Sequence, residues 1–76
     1  MKDLLSHMIK GILDEEVEIR EEEAEDGFIT FFVNIPKDKV GLVIGKGGKT
    51  INALKNVLKI RAIRDNIRVD IQVNEA

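Results

Sequence analysis

The stretch "GLVIGKGGKT" at residues 41–50 holds four glycines and lies between two segments of helical periodicity. Apolar residues at spacings of three and four predict a two-turn helix at 38–44 and a longer helix at about 49–63. So tight a connection needs residues with positive φ, which glycine adopts at little cost. The chain must therefore join two helices through a glycine turn.

Four further segments show helix or strand periodicity. Leucines and isoleucines at helical spacing predict an amphipathic helix at 2–13, and alternation predicts a short strand at 17–23. Longer alternating runs predict strands at 28–35 and 67–73. The order is α-β-β-α-α-β, which indicates an α+β fold with helices packed on its sheet.

The strand at 28–35 has two faces of different character. One face is wholly apolar and is predicted to meet the helices through Ile29, Phe31, Val33 and Ile35. Phe28 and Phe32 lie on the opposite face, where two interpretations stay open. Long neighbouring side chains could cover the two rings, or the rings could form a partner surface.

The end of the glycine stretch, "GGKT", looks like the end of the phosphate loop of nucleotide hydrolases. That loop requires G-x-x-x-x-G-K-[ST], which would place its first glycine where this chain has Val43. The dinucleotide pattern G-x-G-x-x-G fails as well, because Thr50 stands at its third glycine. A chain of 76 residues is also short for a nucleotide-hydrolysing α/β fold. The sequence therefore argues against nucleotide hydrolysis.

Charge is divided unevenly along the chain, although the net charge is only −2. Residues 1–27 hold three basic and ten acidic side chains, whereas residues 37–64 hold eight basic side chains and one acid, Asp38. The basic half surrounds the glycine turn. This local asymmetry favours a polyanionic partner near the turn, despite a sequence pI of about 5.3.

The remaining interpretation of the turn is a G-x-x-G loop that grips a chain of phosphates. The helix after it presents N–H groups without intrahelical partners at its start, where a phosphate oxygen binds favourably. Lys46 lies inside the loop and Lys49 directly after it, so that both add cationic donors.

At this point the sequence resembles a known family. "VIGKGGKTI" is similar to the signature of the KH domain, whose G-x-x-G loop clamps single-stranded nucleic acid by its backbone. The βααβ core would run over about 28–74, and the preceding helix and strand at 2–22 match the type II arrangement. As a single domain over 1–76, the chain resembles the small bacterial KH proteins of the KhpA type. The resemblance implies a three-stranded mixed sheet with three helices on one face.

The resemblance also implies which residues contact RNA. Contacts to the sugar-phosphate backbone would come from the loop residues Gly45, Lys46, Gly47 and Gly48. Thr50, at the start of the next helix, would be a further RNA-binding residue. The apolar side of a base-binding groove would come from Val40, Gly41, Val43 and Ile44, opposite the strand at 28–35. Further phosphate contacts are expected from Lys39, Lys49, Asn52 and Lys55.

The implied activity is single-stranded RNA binding, as an RNA chaperone or post-transcriptional regulator, with single-stranded DNA as an open alternative. The long helix carries a second apolar stripe of Ala53, Val57 and Ile60, which could meet the N-terminal helix or a second copy. The resemblance implies a homodimer through helix 49–63 and a larger KH-domain partner. A protein-interaction module without obligatory nucleic acid is the rival interpretation.

The sequence gives no sign of catalysis, metal or cofactor. His7 has no Asp, Cys or second His at triad or ligand spacing, so we expect no enzyme activity. The N-terminal apolar residues are spaced rather than continuous, which fits neither a signal peptide nor a membrane span. With no cysteine in the chain, a reducing cytoplasm is the expected compartment.

Overall fold

The computed structural model describes residues 1–75. Its main elements are the helices α1 (Lys2–Leu13), α2 (Val40–Ile44) and α3 (Lys49–Arg64) and the strands β1 (Glu18–Glu23), β2 (Phe28–Ile35) and β3 (Arg68–Glu75). Short 3₁₀ turns at Lys37–Lys39 and Lys46–Gly48 precede α2 and α3. The predicted order α-β-β-α-α-β and the α+β class are confirmed.

The three strands form one mixed sheet in the order β1-β2-β3. β1 runs antiparallel to β2, and β3 runs parallel to it. A parallel pair needs a long crossover, and α2, the glycine loop and α3 supply it. α3 is about 24 Å long, close to the length of the eight-residue β2. The loop therefore lies at the end of the sheet where β2 ends, opposite the turn at 24–27.

All three helices pack on one face of the sheet, as the sequence predicts. α1 contributes Leu5, Ile9 and Leu13 to the core. The other buried side chains are all apolar: Ile19, Phe31, Val33, Ile35, Val43, Leu54, Leu58, Ala62, Val69 and Ile71. The predicted inward face of β2 is thus confirmed, and one contiguous core holds the two helices beside the loop against the sheet.

The outward rings of β2 are half-buried beneath arginines. The guanidinium carbon of Arg20 lies 4.9 Å from the ring centroid of Phe32, and that of Arg68 lies 6.0 Å from the centroid of Phe28. Both distances fit cation–π contacts. Cover by long neighbouring side chains, one of the two interpretations above, is therefore what the structure shows.

The segment before the loop differs from the predicted helix at 38–44. Pro36 keeps an extended backbone, with φ −54° and ψ 137°, and a 3₁₀ turn follows it. The α-helix begins only at Val40, so it spans just five residues before the loop. The long helix runs one residue beyond its predicted end, and the last strand spans Arg68–Glu75 rather than 67–73.

The outer face of α3 stays exposed. Val57 is 42% exposed, Ile60 65% and Ile63 76%. The second apolar stripe of α3 was predicted to meet either α1 or a second copy of the chain. The exposure of these side chains shows that α1 does not cover it. Across residues 1–75, this helix and the others are too short or too polar to cross a membrane.

Candidate nucleic-acid interface

The loop between α2 and α3 is built on three glycines with positive φ. Gly45 has φ 76° and ψ 169°, Gly47 has φ 66° and ψ 19°, and Gly48 has φ 79° and ψ 12°. The region that Gly45 occupies is essentially restricted to glycine, whereas the left-handed region of Gly47 tolerates Asn and Asp best among other residues. The sequence-based requirement for glycine in this turn is therefore met at three positions.

The first of these glycines is also fixed by packing. A Cβ on Gly45 would lie 2.8 Å from both the backbone N and the Cβ of Thr50, closer than real side chains approach. A Cβ on Gly47 would meet no atom within 4 Å, and one on Gly48 would lie 3.6 Å from the Asn52 amide nitrogen. Gly45 thus holds the turn closed, whereas the open space at Gly47 leaves its backbone accessible to a ligand.

Backbone hydrogen bonds hold the loop in a tight shape. The N–H of Gly45 donates to the carbonyl of Gly41 at 2.9 Å, and that of Gly48 donates to the carbonyl of Gly45 at 3.1 Å. The Lys49 N–H donates to the Lys46 carbonyl. No side chain among residues 1–75 caps the start of α3. The positive end of this helix dipole is therefore open to an external anion.

The four lysines predicted to face phosphates fall into two pairs. Lys46 and Lys49 are exposed, and neither forms an ion pair with another residue of the described chain. The Lys39 ammonium lies 2.8 Å from a carboxylate oxygen of Glu15, and the Lys55 ammonium lies 3.4 Å from one of Asp70. The structure therefore leaves two of the four lysines unpaired, both at the loop.

The environment of Lys39 raises its pKa above the ordinary value of 10.5. The main cause is the hydrogen bond to Glu15, which outweighs the opposing effect of partial desolvation. The charges of Glu15, Asp38 and Asp14 act in the same direction as the hydrogen bond. The ammonium group of Lys39 therefore lies in a locally acidic environment.

The predicted apolar groove residues are not equally accessible. Val43 is 0% exposed and belongs to the core, so its side chain is not available at the surface. Val40 is half-buried, and Ile44 is 36% exposed. Leu42, which the sequence analysis did not single out, is 58% exposed one turn before the loop. The sequence gives no signal for this, because a helix of five residues is too short a pattern to fix which of its apolar side chains face outward.

Two polar side chains complete the start of α3. Thr50 packs its hydroxyl and Cβ against Gly45, and Asn52 is exposed with its amide beside Gly48. A separate cleft of about 490 Å³ lies at the other end of α3, between Phe28, Ile63 and Arg68. Within residues 1–75, no three His, Cys, Asp or Glu side chains are grouped as metal ligands. The candidate site thus consists of exposed backbone, two lysines and nearby aliphatic surface.

Comparison with known proteins gives the family. The sequence pattern of the family described as "KhpA/KhpB, KH domain" matches residues 2–73. The chain belongs to the KhpA/KhpB KH-domain family. The match spans the N-terminal helix and strand as well as the βααβ core. The resemblance to KH proteins of the KhpA type is confirmed.

Bacterial relatives agree with this membership along nearly their whole length. Proteins named "RNA-binding protein KhpA" are 34% identical over 76 residues in Chlamydia pneumoniae and 36% identical over 77 residues in Chlamydia caviae. In both cases 99% of this chain and 97% of the relative are covered. The protein of that name from Clostridium acetobutylicum is 35% identical over 75 residues, covering 96% of this chain and 99% of the relative.

Proposed function

We propose that this KhpA/KhpB KH domain binds single-stranded RNA through the loop at residues 45–48. The observation that carries the proposal is the exposed glycine turn, with the unpaired Lys46 inside it and the unpaired Lys49 at the open start of α3. The relatives named RNA-binding proteins support RNA as the ligand. KH domains use a G-x-x-G loop to clamp about four nucleotides by their backbone.

The phosphate-binding part of the site depends on the glycines of the loop, which have no side chain. Gly47 has open space where a Cβ would stand, so a sugar-phosphate strand can approach the main chain. The helix N-terminus and the ammonium groups of Lys46 and Lys49 then attract phosphate oxygens. Because few phosphates are neutralised, we expect salt-sensitive binding with a log–log slope of roughly −0.7 for each of them.

The base-binding part would use the aliphatic surface that leads into the loop. Leu42 and Ile44 are its exposed side chains, and Val40 and Gly41 extend it towards the start of α2. Asn52 adds a polar group near Gly48 that can donate to a base edge or a phosphate. Lys55 can bind RNA only if its ion pair with Asp70 breaks. Apolar surface of this kind holds bases with modest sequence selectivity.

In this account the chain is a non-catalytic binding module. We propose that it acts on cytoplasmic RNA as a chaperone or post-transcriptional regulator. Single-stranded DNA offers the same phosphates, so it remains a competing ligand. The 2′-hydroxyl distinguishes the two, and affinities for RNA and DNA of one sequence measure its contribution.

The testing experiment changes charge at the loop without changing its shape. Lys46→Asp with Gly47→Asp places two carboxylates at the phosphate site. Position 47 has the left-handed backbone that Asp tolerates. The matched control, Lys46→Asn with Gly47→Asn, has nearly the same shape without the charges. We expect the Asp variant to lose binding to a short single-stranded RNA in low salt and the Asn variant to keep part of it. Equal binding by the folded Asp variant and wild type would refute the site.

A second function is favoured by the outer face of α3. Ile60 and Ile63 lie one helical turn apart and are 65% and 76% exposed, so they form an apolar patch on the outer face of the helix. We propose that this face forms a homodimer or receives a larger KH-domain partner. A nucleic-acid-free dimer after purification would favour this role. RNA that copurifies with the protein and is removed by nuclease and high salt would favour RNA binding.

A further inference from the structure

The half-buried ion pair between Lys39 and Glu15 joins two segments that are distant in sequence. Its N–O distance of 2.8 Å is the shortest of the ion pairs in the described chain. The Lys39 side chain is 31% exposed and that of Glu15 40%. Both groups are thus partly shielded from solvent, which makes their contact stronger than that of a fully exposed pair.

The pair lies at the base of the helix that leads to the loop. Lys39 ends a 3₁₀ turn in which its N–H donates to the Pro36 carbonyl at 2.8 Å, and α2 begins at the next residue. α2 is five residues long and ends at Gly45. Glu15 lies in the connection between α1 and β1. The ion pair therefore ties the start of α2 to a connection that is anchored by the core residue Leu13.

The charges around Lys39 do not favour a phosphate there. Asp14, Glu15 and Asp38 all contribute negative potential at its ammonium group. An incoming phosphate would have to displace Glu15 and approach two further carboxylates. Lys46 and Lys49, by contrast, form no ion pair within the described residues. Lys39 therefore differs from the loop lysines in both geometry and surroundings.

We propose that Lys39 is a positioning residue, which orients α2 and the loop at residues 45–48 through its ion pair with Glu15, and that it does not bind phosphate. This inference rests on the proposed RNA-binding function. It assigns to Glu15, a residue on the acidic half of the chain, a part in nucleic-acid binding. The loop is short and tight, so a displacement of α2 moves Gly45 with it.

Charge reversal distinguishes positioning from direct contact. The variants are Lys39→Glu, Glu15→Lys and the two together, assayed with a short single-stranded RNA at several salt concentrations. Lys37→Glu and Glu18→Lys make the same charge changes two and three residues away, at exposed positions outside the ion pairs of the described chain, and they serve as matched controls. Positioning predicts that each reversal at 39 and 15 weakens binding roughly two- to five-fold beyond its control. The double variant recovers affinity, and the log–log salt slope stays that of wild type.

Direct phosphate contact gives the opposite pattern. Lys39→Glu would then make the salt slope shallower by about 0.7, Glu15→Lys would tighten binding, and the double variant would not recover. That pattern would overturn the inference. The inference would also be overturned if the variants at positions 39 and 15 bound RNA with the same affinities as their control variants.

Hydrogen exchange in the free protein provides a measurement without RNA. The Gly45 N–H bonds to the Gly41 carbonyl and reports the opening of α2. Neutral variants, Lys39→Met and Glu15→Gln, should speed its exchange roughly two- to five-fold, with the Leu58 amide in α3 unchanged. Unchanged exchange at Gly45 would overturn the inference. If wild type fails to bind RNA, the proposed function falls, and this measurement still decides whether the pair positions α2.

Discussion

Gly45 and Thr50 approach each other so closely that a Cβ on the glycine would lie 2.8 Å from the threonine backbone nitrogen. The contact joins the end of α2 to the first turn of α3 and sets the shape of the loop between them. The same turn leaves Gly47 open and places Lys46 in solvent. One glycine therefore serves the fold, while the next two residues remain available for a ligand.

The first prediction concerns the cost of a side chain at this contact. Gly45→Ala combines a disfavoured backbone conformation with a collision against Thr50, and we expect it to lower the free energy of unfolding by about 2–4 kcal/mol. Gly11→Ala is the control, because Gly11 lies within α1 with no atom within 4 Å of its added Cβ. It should raise stability by about 0.5–1 kcal/mol. Urea unfolding measures both changes. Equal stabilities for Gly45→Ala and wild type would contradict the geometry of the loop.

The second prediction separates two adjacent residues of α2. Leu42 is 58% exposed and Val43 is 0% exposed. Leu42→Ala should leave the urea midpoint nearly unchanged and weaken RNA binding, because it removes aliphatic surface beside the loop. Val43→Ala should cost roughly 1–3 kcal/mol of stability through the lost burial and the cavity. A Leu42→Ala variant with wild-type RNA affinity would remove this side chain from the base-binding surface.

These two residues show why the sequence predicts the fold better than the site. Hydrophobic periodicity depends on burial, so β2 alternates as its sequence predicts and the long helix starts at Lys49 as expected. The glycine loop follows from a local backbone requirement. Which α2 side chain stays exposed depends on how the helix packs, and a five-residue helix gives too short a pattern to fix that orientation.

The sequence also does not show which charged side chains form ion pairs with one another. Lys39 and Lys55 are close to the loop along the chain, yet they face Glu15 and Asp70, which are 24 and 15 residues away in sequence. Such pairs arise only when separate elements meet in space. Proximity in sequence therefore overestimated the number of free cations near the loop.

The third prediction follows from the raised pKa of Lys39. Because the folded-state pKa is raised, its ion pair contributes to stability fully below pH 10.5, and the contribution is lost as pH rises through the folded-state value. Glu15→Gln removes the main cause, so the Lys39 pKa should fall towards its ordinary value. NMR titration of the Lys39 side-chain Cε in both proteins measures the change. Superimposable titration curves would show that the pair does not form in solution.

The fourth prediction concerns the outer face of α3. Ile60→Asp places a charge in the middle of the exposed apolar stripe, where it would be desolvated on self-association. It should shift any dimer to monomer in sedimentation velocity while the fold is kept, because Ile60 is 65% exposed. Asn74→Asp adds the same charge at an exposed position on β3 and should leave the oligomeric state unchanged. A dimer that survives Ile60→Asp must use another surface.

The most direct test of the central claim is an amide NMR titration of the wild-type chain with a short single-stranded RNA at low ionic strength. We predict that the largest shifts occur at residues 45–50, with smaller shifts at Leu42 and Ile44. The turn at 24–27, at the opposite end of the sheet, should not respond. Unmoved amides at 45–50, or shifts confined to other parts of the chain, would contradict RNA binding by the glycine loop.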